Sequence, residues 1–128
     1  MLLQSSGAFW TLAKGLYDRV AKKPADDATI RRFHGGCEPF RAIMVALFAA
    51  QYDRCIRTSK QSPSLKTGRN DTFMATCLPY CDQVITNDIG QMWCYREVVS
   101  VVGLDVAIRS YDEFCERLFV AGGTAASP

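Results

Sequence analysis

The sequence predicts an α/β domain with a short parallel sheet and a mostly helical N-terminal half. Three observations predict it. Apolar residues recur at helical spacing from Ser6 to Thr58. Two β-branched runs follow, at Gln83–Thr86 and Asp105–Arg109. Between them lies one stretch of helical periodicity, and strand–helix–strand at this spacing is a βαβ unit, whose strands are parallel. The composition suits a single domain: 128 residues, 48% hydrophobic, 22% charged, formal net charge +2. That is too apolar for an intrinsically disordered chain. No stretch approaches the ~20 apolar residues of a membrane span. No positively charged segment precedes the N-terminal apolar residues, so a secretory signal is not expected and a cytoplasmic protein is. The small net charge does not by itself require a nucleic-acid partner.

Taken in order, Phe9, Leu12, Ala13, Leu16, Tyr17 and Val20 give one apolar face to a helix from about Ser6 to Lys22. Pro24 and Asp26-Asp27 open a second, short helix through Thr29 and Ile30 to Phe33, with Gly35-Gly36 as its stop. A long helix is expected from about Glu38 to Thr58, with Pro39 tolerated in its first turn and Phe40, Ile43, Met44, Leu47 and Phe48 on its buried side. Thr58 to Arg69 reads as a loop. A helix from about Asp71 to Leu78 is expected to stop before Pro79, which disfavours helix at the residue preceding it. The helix of the βαβ unit runs from about Ile89 to Val102, with Met92, Tyr95, Val98, Val99 and Val102 on one face and Gly103 closing it. Ser110 and Glu113 form a capping box for a last helix through Phe119. The domain spans 1–120, and 121–128 reads as a disordered tail. A parallel sheet normally has both faces covered and more than two strands. No third strand is evident before residue 80, so the sheet is expected to be completed by another chain or to lack part of its domain.

The six cysteines, Cys37, Cys55, Cys77, Cys81, Cys94 and Cys115, lie scattered over apolar segments and read as reduced structural thiols. Zinc bound by His34, Cys37, Cys77 and Cys81 is the alternative, although the order and spacing fit none of the common finger patterns. His34, the single histidine, stands beside Gly35-Gly36 and is expected at the surface. From Arg54 to Asn70 there are five basic residues and no acidic one. Arg54, Arg57, Lys66 and Arg69 are candidates for phosphate contacts, and a solvated face is the other reading.

Ligands of an open α/β sheet bind outside the carboxyl ends of its strands. Asp88 follows Val84-Ile85-Thr86 at that end, whereas Asp82 precedes the strand and falls at the opposite edge. Asp71 opens a helix that must run back to feed the strand, which places its N-terminus near Asp88. The two carboxylates can converge on a divalent metal there. Each is also a natural helix cap or first-turn residue.

The segments Gly68-Arg69-Asn70-Asp71-Thr72-Phe73-Met74-Ala75, Leu78-Pro79-Tyr80-Cys81-Asp82 and Val84-Ile85-Thr86-Asn87-Asp88 resemble the C-terminal half of a PIN domain. Val106 to Phe114, ending Ser110-Tyr111-Asp112-Glu113-Phe114, is similar to that family's last strand and helix. The likeness covers roughly Cys37 to Phe119. It implies a three-layer α/β/α fold around a parallel sheet and a Mg²⁺- or Mn²⁺-dependent endoribonuclease. It further implies RNA as substrate and, as in many family members, a toxin role with an antitoxin protein as partner. Asp71 and Asp88 match two of the family's catalytic, metal-holding acidic positions, and Thr86 matches its supporting strand-end hydroxyl; Asn87 has no fixed role there. The family's opening strand ending in aspartate, and the glutamate on an early helix, have no counterpart here. A shortened PIN-like domain is therefore expected. The alternative is a catalytically inactive remnant that serves as a binding or dimerisation module, a homodimer among the possibilities.

Overall fold

The computed structural model describes residues 7–55 and 68–123. Helices α1 (Gly7–Ala21), α2 (Asp27–Gly36) and α3 (Glu38–Cys55) form the N-terminal half. Helix α4 (Arg69–Met74) then passes into a 3-10 helix (Ala75–Tyr80). Strand β1 (Gln83–Ile85), helix α5 (Ile89–Val102), strand β2 (Ala107–Arg109) and helix α6 (Tyr111–Gly123) complete the chain. The result is a mostly helical α/β protein with a small two-stranded parallel sheet and a helical N-terminal half, as expected. None of the described helices is long and apolar enough to cross a membrane.

Helix α3 holds the two halves together because it is apolar on two sides. Phe40 and Met44 pack with Phe9 and Ala13 of α1 and Ile30 of α2, and Phe48 lies against the same cluster. On another side, Ala42, Val45 and Ala46 pack with Ala75 and Leu78 of the 3-10 helix and with Cys94, Tyr95 and Val98 of α5. The sequence reading found the first side and overlooked the second. Its apolar spacing picked out the large side chains, while Ala42 and Ala46, which let α3 and α5 approach closely, contribute little to a hydrophobic pattern.

The βαβ unit forms as expected, with Gln83, Val84 and Ile85 in register with Ala107, Ile108 and Arg109. Asp88 caps α5 by accepting from Gln91 N–H at 2.8 Å. Gly103 ends it in the left-handed region, φ 78°, where its N–H reaches Val99 O. The ladder bonds Ala107 N to Asp82 O and Thr86 N to Arg109 O set the alternation. The backbone groups of Ile108 therefore face away from β1, and those of Gln83 and Ile85 face away from β2. Arg96 covers the outer edge of β2, donating from Nη2 to Ile108 O at 3.2 Å. Among the described residues no third strand pairs with the outer edge of β1.

Four expectations need correction. Helix α2 continues through Gly35-Gly36 and ends at the extended Cys37. Gly103 is the glycine that takes a positive φ among the described residues, so Gly35 and Gly36 serve as ordinary helical residues and not as a left-handed stop. In consequence His34 lies within a helix and is buried, 6% exposed, edge-on to Phe9, Trp10 and Phe40. The segment before β1 does not stop before Pro79. It starts at Arg69 and changes from α to 3-10 winding at Ala75, and Pro79 lacks the N–H that an α-helix would aim at the Ala75 carbonyl. Burial of Ala75 and Leu78 keeps the tighter winding in place. Finally, α6 opens at the expected capping box, Glu113 N to Ser110 Oγ at 3.1 Å and Ser110 N to Glu113 Oε2 at 2.7 Å. It runs on to Gly123, beyond the expected end at Phe119.

Burial lowers the proton affinity of His34 below the ordinary imidazole value, and the nearby Arg41 charge acts in the same direction. The folded state thus binds fewer protons than the unfolded chain. His34 costs nothing above its ordinary value of 6.5, and stability is lost as the pH falls below it. Urea unfolding midpoints of the wild-type chain should fall between pH 7.5 and pH 5.5, and His34→Phe should remove most of that fall. Equal slopes in the two proteins would show that His34 is not the group responsible.

Candidate functional site

The carboxyl edge of the sheet is built from helix starts. The strand-end hydroxyl of Thr86 accepts the Asp88 N–H at 3.1 Å, which fixes the loop that carries Asp88 into α5. Asn87 Oδ1 accepts Tyr111 N–H at 2.9 Å and ties the same loop to the first turn of α6. Asp88 itself is exposed, with Oδ1 engaged by Gln91 N–H.

Asp71 reaches this edge from the first turn of α4, as expected, although the helix opens earlier than Asp71. The N-cap is Gly68, and Asp71 stands three residues inside, where Oδ2 accepts Gly68 N–H at 3.0 Å. Glycine suits position 68 because a Cβ there would sit 2.8 Å from Asp71 Oδ2. The other carboxylate oxygen, Oδ1, accepts from Gln91 Nε2 at 3.1 Å. The same nitrogen lies 3.2 Å from Tyr95 Oη, which donates to the Asp71 carbonyl at 2.9 Å. Burial pushes the Tyr95 phenol up to about 12, with the Asp71 charge adding to it and the Gln91 donor opposing it. Tyr95 therefore keeps its proton across the ordinary pH range and can always donate it.

The structure thus brings Asp71, Asp88 and Thr86 to one edge, with Gln91 touching both carboxylates. Asp82 lies elsewhere, lining a cleft at the opposite edge with Glu38 and Asp105, as its place before the strand implies. Arg57 and Lys66 lie outside the described residues, and so do the side chains of Arg54 and Arg69, whose backbones belong to α3 and α4. The sequence reading passed over a second basic group. Arg96, Arg109 and Arg117 line a groove of about 380 Å³ beside β2, together with Glu113 and Glu116. They come from three different elements, and no sequence run links them. Gln91 and Tyr95 were missed as site residues because an i, i+4 pair on a helix gives no signal of a partner 20 residues earlier.

The described cysteines, Cys37, Cys77, Cys81, Cys94 and Cys115, are free thiols. Cys94 is a buried core residue, as expected, whereas Cys77 is exposed. Of the residues in the zinc alternative, His34 packs against Phe9, Trp10 and Phe40 and Cys37 lies against the same cluster, while Cys77 and Cys81 lie on and beside the 3-10 helix. Among the described residues no three or more His, Cys, Asp or Glu side chains group as metal ligands. The acidic edge accordingly offers two carboxylates. No family model, curated protein or solved structure matches the chain.

Tyr95→Phe should test how firmly this edge is assembled. It keeps the ring in the core but leaves the Asp71 carbonyl and the Gln91 amide each short of one partner. A loss of about 1–3 kcal/mol in urea unfolding is expected. An unchanged midpoint would mean that solvent satisfies both groups and that the contact is not structural.

Proposed function

We propose that the chain is a PIN-like α/β/α ribonuclease scaffold, with the carboxyl edge at Asp71 and Asp88 as a half-site for Mg²⁺ or Mn²⁺. The observation that carries this reading is that Asp71 and Asp88, from helices far apart in sequence, both contact Gln91 at the carboxyl ends of parallel strands. The donor set suits a hard cation. A carboxylate has about four lone-pair sites, so the N–H groups held by Asp71 and Asp88 leave acceptor capacity on both. Mg²⁺ commonly takes one or two carboxylates and completes its shell with water and substrate phosphates. Bound at such a site, the metal supplies an activated water and stabilises charge on the phosphate.

The chain's own residues supply the rest. Asp71 and Asp88 hold negative charge at the edge, Thr86 fixes the loop that presents Asp88, and the Arg96–Arg109–Arg117 groove offers cationic contacts to an RNA backbone, alongside the expected Arg54, Arg57, Lys66 and Arg69. The resemblance adds a toxin role with an antitoxin partner, in the cytoplasm. With two carboxylates and not the full acidic cluster, turnover by the chain alone is expected to be slow, since such groups act as a unit.

A second reading has its own support. Three of the four carboxylate oxygens accept N–H donors of the chain, two of them from backbone N–H groups at helix starts, as helix caps do. Leu118, Phe119 and Val120 on α6 are exposed, Phe119 at 80%. An inactive remnant acting as a binding or dimerisation module would show both features.

Calorimetric titration of Mn²⁺ into the wild-type chain and into the Asp71→Asn, Asp88→Asn double variant separates the two. Asparagine at position 88 caps α5 about as well as aspartate, and at position 71 it keeps one oxygen to accept an N–H, so the variant should stay folded. The metal reading expects one saturable site, lost in the variant. No binding by the wild-type chain would leave both aspartates as caps.

A further inference from the structure

We propose that the outer edge of β1 is a dimer interface, at which β1 of a second copy of this chain pairs antiparallel and completes a four-stranded sheet. The alternation of the ladder carries this. The backbone groups of Asp82, Val84 and Thr86 are turned to β2, as the bonds Ala107 N to Asp82 O and Thr86 N to Arg109 O show. Gln83 and Ile85 therefore each direct an N–H and a C=O away from β2, and among the described residues no strand receives them. The side chains of Gln83 and Ile85 are exposed, while Val84 packs on the core. Proteins blunt free strand edges with charge, proline or a covering element. The edge of β2 has such a guard, since Arg96 Nη2 is bonded to Ile108 O at 3.2 Å and lies 3.5 Å from Glu113 Oε2. Gln83-Val84-Ile85 carries neither charge nor proline.

A second copy of the chain is the occupant that fits this edge. A two-fold axis between the two Val84 residues sets Gln83 opposite Ile85 of the second copy. These are the positions whose outward groups match, each N–H meeting a C=O in both directions. The same register lays the exposed Ile85 beside Gln83 of the second copy. Asp82 falls opposite Thr86 of the second copy, so no like charges face each other. Parallel self-pairing would instead bring the two Asp82 carboxylates side by side. The antiparallel arrangement also closes. Its rims are the two β2 strands, each with Arg96 over its edge, so assembly stops at two chains. The dimer stands under either reading of Asp71 and Asp88.

Sedimentation equilibrium of the wild-type chain and of Ile85→Pro over a wide range of concentration tests the proposal. The free cysteines are kept reduced, so that a disulfide between chains is not counted as a dimer. Backbone amide exchange is followed by NMR on the same samples. Proline at position 85 removes an N–H that points away from β2, a change that an edge strand accepts, and it leaves the bonds to β2 in place. The wild-type mass should rise from one chain to two with concentration. The Gln83 and Ile85 amides should gain protection in step with it. Ile85→Pro should keep the wild-type circular dichroism and lose the dimer. If it does not fold, Gln83→Pro, which removes the other outward N–H, should give the same loss, and the wild-type exchange pattern decides in either case. A wild-type chain that stays monomeric throughout would overturn the proposal. So would a dimer that persists in a folded proline variant, or one that leaves the Gln83 and Ile85 amides unprotected while those around the exposed Leu118 and Phe119 slow.

Discussion

Burial of α3 on two sides is the constraint on which the rest of the molecule depends. A helix that is apolar nearly all round must be covered nearly all round. In this chain α1 and α2 cover one side and the 3-10 helix and α5 cover the other. The sheet could not organise the C-terminal half by itself: each strand has three residues, and Ile108 is the one buried side chain in the two strands. Ala75, Leu78, Cys94 and Val98 supply the contact that holds the 3-10 helix and α5 against Ala42 and Ala46. Because the 3-10 helix is the continuation of α4, its seat on α3 also sets where Asp71 meets the start of α5. The candidate site is thus positioned by helix packing more than by the strands it adjoins.

Much of this was legible wherever the determinant is local. The bounds of α5 follow from Asp88 at its start and Gly103 at its end, and the start of α6 from Ser110 and Glu113, because caps act within a few residues. The parallel pairing followed from the length of the crossover. What could not be read depends on neighbours distant in sequence. His34 looked like a residue of a glycine turn, and only the packing of α1 and α3 buries it. Gln91 gives no signal of its own in the sequence, and its contacts appear only when α4 is laid beside α5. Chain direction puts Asp71 on the side of Asp88, and both contact Gln91, while the helix expected to open at Asp71 has its N-cap at Gly68. An N-cap without a side chain leaves no mark in the sequence other than the acid three residues on.

The two readings of the acidic edge share one chemistry. A carboxylate that caps a helix is ionised, oriented by N–H donors and partly desolvated, which also describes a carboxylate ready to take a cation. The geometry favours the metal reading in one respect. Caps need no link to one another, yet Asp71 and Asp88 are linked through a single glutamine. It favours the cap reading in another, since most of the acceptor oxygens already have donors.

The most direct measurement is paramagnetic broadening of the backbone amide NMR signals by substoichiometric Mn²⁺. The account predicts selective loss of the signals of residues 68–72 and 86–91, while α1 and α2 remain sharp. Broadening centred on Glu38, Asp82 and Asp105 at the opposite edge, or spread evenly over the exposed carboxylates, would contradict it.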